Sequence, residues 1–140
     1  MLRGLDRYVL CLCLASYLCF LGFIALPLAG PIASLAGAFS PPQLHGYLAQ
    51  PLQAWLMENA DPPGTCFPSS HVAGAWAGAL ALRRSDVPGA AARVMTTAAA
   101  VVTVAVVYCR YHYVLDAVAD TAVAALTVRL AKSSTPEELT

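Results

Sequence analysis

The 140-residue chain carries 8 Lys+Arg against 8 Asp+Glu, a formal net charge of zero, with 59% hydrophobic and 11% charged residues. A soluble domain holds roughly 45–50% apolar and ~25% charged residues, and mean hydropathy here is +0.64. This excludes a disordered chain, a disulfide-framework domain and a nucleic-acid binder, which needs a basic excess, and predicts a small integral membrane protein.

A helix crossing the hydrocarbon core needs about 20 mostly apolar residues at ~1.5 Å each. The first candidate span runs from Tyr8 to about Leu26 and closes at Pro27; no charged residue occurs between Arg7 and Glu58. Reading this span as a signal peptide is the weaker alternative. Its apolar run exceeds the ~7–15 residues of an h-region, and no clean small-residue cleavage site follows. Cys11, Cys13 and Cys19 lie within it and are expected to pack as small apolar residues.

The segment from Ala29 to Thr65 follows. Ser40-Pro41-Pro42 reads as a helix start, with serine as cap and proline in the first turn. Leu44, Leu48, Leu52, Trp55 and Leu56 then recur at spacings of three and four, interrupted by Pro51. With Tyr47 and Trp55 as interfacial aromatics, this predicts one or two short helices lying on the bilayer surface, either as a connector or as a lid. His45 in this segment is read as a solvated residue. Asp61-Pro62-Pro63-Gly64 turns the chain.

The second span, His71 to Leu82, is short and ends at Arg83-Arg84, so it must start below the headgroups, tilt or be covered by protein. The third runs from about Ala90 to Tyr108 and the fourth from about Tyr111 to Ala131. The prediction is therefore an all-α, polytopic bundle of about four transmembrane helices with short interfacial helices. A single transmembrane domain covers residues 1–131, and a polar tail covers 132–140. Four spans put every basic residue except Arg110 on one side, namely Arg3, Arg7, Arg83, Arg84, Arg93, Arg129 and Lys132. The positive-inside rule makes that side, with both termini, cytoplasmic in the cell membrane.

Two polar clusters then fall on the opposite side, Phe67-Pro68-Ser69-Ser70-His71 and Arg110-Tyr111-His112-Tyr113-Val114-Leu115-Asp116. In the first, Ser69 can cap the helix, while the backbone N–H groups around Ser70 and His71 and the helix dipole favour an anion. The bland reading is an ordinary serine cap beside an interfacial histidine. In the second, His112 and Asp116 stand at i and i+4, predicted to share one helical face. Asp116 would accept the Nδ1–H of His112 and leave Nε2 as base or nucleophile. Arg110 offers a forked cation to phosphate oxygens. The bland reading is a snorkelling arginine with a His–Asp pair used for packing. Ionisable groups in a membrane are costly, which favours function. Asp120 continues the face at i+8, as a partner of that pair or as a carboxylate kept neutral by burial. Cys66 and Cys109 adjoin the two clusters on a side where oxidation is permitted, and a bridge between them is the less favoured expectation.

The two clusters, in this order, resemble the phosphatidic-acid phosphatase type 2 superfamily, and look most similar to its inositol phosphorylceramide synthase-like branch, over roughly residues 15–130. Pro27 to Pro31 is similar to the Pro-x-x-Gly-Pro turn of that branch. The resemblance implies a helical bundle carrying phosphoryl-transfer chemistry at one membrane face. It implies His112 as the nucleophile that forms a phosphohistidine, Asp116 as the carboxylate that orients it, and His71 as the general acid. Ser69 matches a phosphate-binding serine and Ser70 stands where many members have glycine. Arg110 takes the phosphate-clamping role, although much of the superfamily has arginine six residues before the histidine, where this chain has Val106.

Three departures accompany the match. The family's first motif, a Lys and an Arg-Pro pair, has no counterpart; the sequence reads as beginning near the family's third span; and Asp120 replaces a glycine. The expected function is a lipid phosphatase or phosphotransferase that needs no cofactor and acts on a phosphorylated lipid among membrane lipids. No nucleic acid is involved, and oligomerisation with like or unlike chains is left open. The rival is an inactive or partner-dependent membrane scaffold. A third reading, a metal site from His71, His112, Asp116 and Cys66, is disfavoured because Arg110 would repel a cation.

Overall fold

A computed structural model describes residues 2–35, 38, 51, 55, 59, 64–85 and 87–133. All regular structure among them is helical: α1 (Leu2–Ala25), α2 (Pro31–Ser34), α3 (Ser70–Leu82), α4 (Gly89–Tyr108) and α5 (Val114–Ser133). α3 is central, packing on α1, α4 and α5, while α1 also meets α5 and α4 barely touches α5.

Small side chains make that centre possible. Ala73, Ala77, Ala79 and Ala81 of α3 are buried, and Gly78 lies close enough to Tyr8 that a Cβ would sit 3.3 Å from its hydroxyl. Cys11, Ala81, Val128 and Ala131 form one buried cluster, and Ala15, Ala77 and Ala124 another. Cys11 and Cys19 pack inside as small residues, as expected, whereas Cys13 faces outward. Trp76 Nε1 donates to Thr103 Oγ1 at 2.9 Å and ties α3 to α4.

The helices alternate in direction. Gly4 faces Ser85 at one end, where Arg83 and Arg84 follow α3. At the other end Gly22 abuts the ring of Pro68, and Gly30 abuts the Tyr111 carbonyl. The C-terminal ends of α1 and α4 thus converge with the N-terminal ends of α3 and α5.

α1 from Gly4 and the whole of α4 are long and apolar enough to cross a membrane. Their outer faces are bare: Ile24 is 80% exposed and Val104 68%. Apolar exposure of this extent is rare on a soluble monomer. α3 has 13 residues, about 20 Å, too short to cross a ~30 Å hydrocarbon core alone, and its neighbours enclose it. α5 carries Asp116, Asp120, Arg129 and Lys132, more charge than a simple span tolerates.

The predicted second and third spans match α3 and α4 within a residue at each end. The first ends with α1, but its expected start at Tyr8 comes six residues after α1 begins. The fourth starts three residues later than expected, at Val114. Of the predicted surface segment, Pro51, Trp55 and Asn59 are helical, with Asn59 Nδ2 donating to the Trp55 carbonyl at 2.8 Å. The proposed start at Ser40-Pro41-Pro42, Tyr47, His45, most of the leucine stripe and the tail from residue 134 lie outside the described residues.

Candidate active site

The site is assembled by the way α4 ends. Arg110 N donates to the Val107 carbonyl at 3.0 Å and Tyr111 N to the Val106 carbonyl at 2.9 Å. These bonds form a Schellman motif, whose C′ position needs the left-handed conformation that glycine usually supplies. Here it is Arg110, with φ 62°. A side chain in that conformation costs ~1–2 kcal/mol, and strain of this kind clusters at functional sites.

The chain then turns back through His112 before α5 begins. His112 Nδ1 lies 2.7 Å from the carbonyl oxygen of Cys66. A carbonyl only accepts, so Nδ1 carries the hydrogen and Nε2 is the basic nitrogen. This corrects the expectation that Asp116 accepts from Nδ1. The Asp116 carboxylate stands 3.9 Å away, because His112 precedes α5 and the two residues do not share a helical face. Asp116 Oδ2 instead accepts the N–H of Tyr113 at 2.8 Å. This is the reach-back half of a capping box, from the third residue of the helix to the residue before it. The Cys66 thiol also points at Asp116 Oδ2, 3.4 Å away. His112 and Asp116 are both buried.

The second cluster is locked to the first through Asp120. Its Oδ1 accepts the backbone N–H of Ser69 at 2.7 Å, and both residues are fully buried. Asp120 is therefore a partner of Ser69 and not of the His112–Asp116 pair. Its Oδ2 takes no hydrogen bond among the described residues. Ser69 caps α3 as expected, its Oγ accepting from Val72 N at 3.4 Å. With the Ser69 and Val72 donors engaged, the N–H groups of Ser70 and His71 are the ones that helix geometry leaves for an anion. The His71 side chain is exposed on this first turn.

Cys66 reaches the site through the loop after α1. Leu28 and Thr65 pair as an isolated parallel bridge, and Cys66 N donates to the Leu28 carbonyl at 3.3 Å. Phe67–Pro68 is cis. A Cβ on Gly30 would stand 2.7 Å from the Tyr111 carbonyl oxygen, so only glycine lets this segment pass so close to the His112 loop. All five cysteines are present as thiols, and Cys66 faces Asp116. The thiol of Cys66, with His112 and Asp116, forms a group able to hold a metal ion; His71 is not part of it.

Sequence reasoning missed the Cys66 carbonyl, the Asp120–Ser69 link and the Gly30 contact. The first has no side-chain signature. The second joins a helix start to an acid 51 residues later, which spacing alone does not indicate.

An apolar groove of about 890 Å³ lies between α4 and α5, lined by Thr103, Val107, Val118, Thr121 and Ala125, with Tyr108 and Val114 at its head. Those two residues close α4 and open α5 on either side of the 109–113 loop.

The fold and site define an all-helical protein with two membrane-length apolar helices and a buried His–Asp pair beside a capped helix N-terminus. The chain belongs to the PAP2 superfamily, whose family model matches residues 3–130. Membership suggests a phosphatase-type lipid phosphoesterase activity. No curated protein and no solved structure matches the chain.

Proposed function

We propose that the chain is a multi-pass membrane phosphatase or phosphotransferase that passes a phosphoryl group through His112. The carrying observation is the 2.7 Å bond from His112 Nδ1 to the Cys66 carbonyl, which leaves Nε2 as the nitrogen that can attack. Nε2 attacks phosphorus in line, the N–P bond forms and the bond to the leaving oxygen breaks. His71 gives that oxygen a proton. His71 then takes the proton of water or an alcohol, whose oxygen displaces the histidine. Arg110, Ser69 and Ser70 hold the phosphate, supported by the two helix N–H groups of α3. Asp116, 3.9 Å from His112, offsets the positive charge on the ring during attack. Positioning and charge neutralisation are the main work of phosphoryl transfer.

A phosphorylated lipid fits as substrate because the α4–α5 groove runs from the apolar outer face to the reacting loop. Its size is within the ~300–1,000 Å³ of small-molecule sites. In the membrane, α3 and α5 accompany α1 and α4 as four spans. α3 is short enough to sit sunken, and the acids of α5 face inward. The basic ends then lie in the cytoplasm, with both termini, and the site lies on the opposite face. The Pro27–Pro31 turn supports the inositol phosphorylceramide synthase-like branch.

Replacing His112 with Ala should lower phosphate release from a short-chain phosphatidic acid in micelles by at least ~1,000-fold. Undiminished turnover would refute the assignment.

A further inference from the structure

We propose that Cys66 Sγ, His112 Nδ1 and Asp116 Oδ2 form a binding site for a thiophilic divalent cation, Zn²⁺ in particular, and that the ion switches His112 off. The three ligand atoms already stand close to where zinc needs them. Bonds of about 2.3 Å to sulfur and about 2.0–2.2 Å to nitrogen and oxygen, at tetrahedral angles, separate ligands by roughly 3.3–3.6 Å. Sulfur lies 3.6 Å from Nδ1 and 3.4 Å from Oδ2. The Nδ1–Oδ2 edge is 3.9 Å, so it has to close by about 0.5 Å, and the imidazole has to turn away from the Cys66 carbonyl that Nδ1 now faces at 2.7 Å. All three residues are buried.

Charge and softness point the same way. A thiolate and a carboxylate together neutralise Zn²⁺, so the loaded site carries no net positive charge for Arg110 to repel, and a sulfur–imidazole–carboxylate set suits zinc better than Mg²⁺ or Ca²⁺. Three protein ligands leave a fourth position for water.

The inhibitory consequence follows from the tautomer. Zinc can bind Nδ1 only through a lone pair, so the hydrogen given to the Cys66 carbonyl has to leave that nitrogen. Binding releases the Cys66 thiol proton to solvent and moves the imidazole hydrogen from Nδ1 to Nε2. Nε2 then has no lone pair for phosphorus. This consequence rests on the proposed role of Nε2; the binding stands on the three ligand atoms alone.

The test uses the purified full chain in detergent, stripped of metal with chelator and titrated with Co²⁺, then Zn²⁺. One equivalent of Co²⁺ should give a thiolate-to-cobalt charge-transfer band with tetrahedral visible bands, and Zn²⁺ should erase both. Cys66→Ser should abolish the charge-transfer band and weaken zinc binding by more than the ~10–100-fold that outer-shell partners cost. Cys109→Ser should keep the band. On the unsubstituted chain, Zn²⁺ should also shield Cys66 from maleimide, read by mass spectrometry, so a folding defect in Cys66→Ser does not blur the outcome. Turnover should fall with the same Zn²⁺ midpoint and return with chelator. No thiolate band in the unsubstituted chain, a band that survives Cys66→Ser, or binding without loss of turnover would each overturn the proposal. A metal-free chain with no turnover would count against the phosphohistidine reading, while the cobalt spectrum would still report the site.

Discussion

Arg110 offers a prediction in which two substitutions must differ in stability and agree in turnover. At an ordinary backbone position, replacing alanine by glycine destabilises by ~0.5–1 kcal/mol, because glycine loses more conformational freedom on folding. At φ 62° the order should reverse. Alanine carries the left-handed penalty of ~1–2 kcal/mol and glycine does not. Subtracting the entropy cost leaves Arg110→Gly more stable than Arg110→Ala by up to ~1.5 kcal/mol, with a middle value of about 0.75 kcal/mol. Both substitutions remove the same guanidinium, so comparing them isolates the backbone. Both should lose turnover alike, by ~1,000-fold or more if the side chain neutralises phosphoryl charge as catalytic arginines do. Arg110→Lys should recover part of that loss, having the charge without the fork. The stability assay is denaturant unfolding in mixed micelles followed by helical circular dichroism, and the activity assay is phosphate release. Glycine proving less stable than alanine would refute the Schellman geometry. Full turnover in either variant would refute the phosphate contact.

Two further perturbations test how the site is held. In Gly30→Ala, the new Cβ meets the backbone oxygen of Tyr111 at 2.7 Å; overpacking of this kind costs ~1–3 kcal/mol. The displaced His112 loop should lower kcat, and unchanged kinetics and stability together would contradict the close crossing. Asp120→Ala strands the buried N–H of Ser69, a loss of ~1–3 kcal/mol, whereas Asp120→Asn keeps an acceptor for that group and should lose less. Equal unfolding midpoints for the two variants would argue against the 2.7 Å bond.

What could be read from the sequence divides along physical lines. The long helices followed from apolar length, from Pro27 and from the charged end at Arg83-Arg84, because those signals are local. The Ser69 cap was legible for the same reason. The start of α5 was not: Tyr111, His112 and Tyr113 continue the pattern of a helix, and only the bonds from Arg110 and Tyr111 back to α4 delay it. That delay moved His112 off the face of Asp116 and gave its Nδ1 to a carbonyl far away in sequence. A backbone acceptor leaves no trace in residue identities. The tie between Ser69 and Asp120 is likewise tertiary, and neither spacing nor propensity encodes which buried acid meets which helix end.

The central claim is that His112 Nε2 takes the phosphoryl group, and phosphoenzyme trapping tests it most directly. The chain, mixed with a radiolabelled lipid phosphate and quenched in base within one turnover, should carry label that survives alkali and is lost in acid. Phosphorus NMR or fragmentation of the labelled peptide should assign it to Nε2 of His112. Label on Nδ1, on another residue, or absent from a chain that turns over would contradict the account.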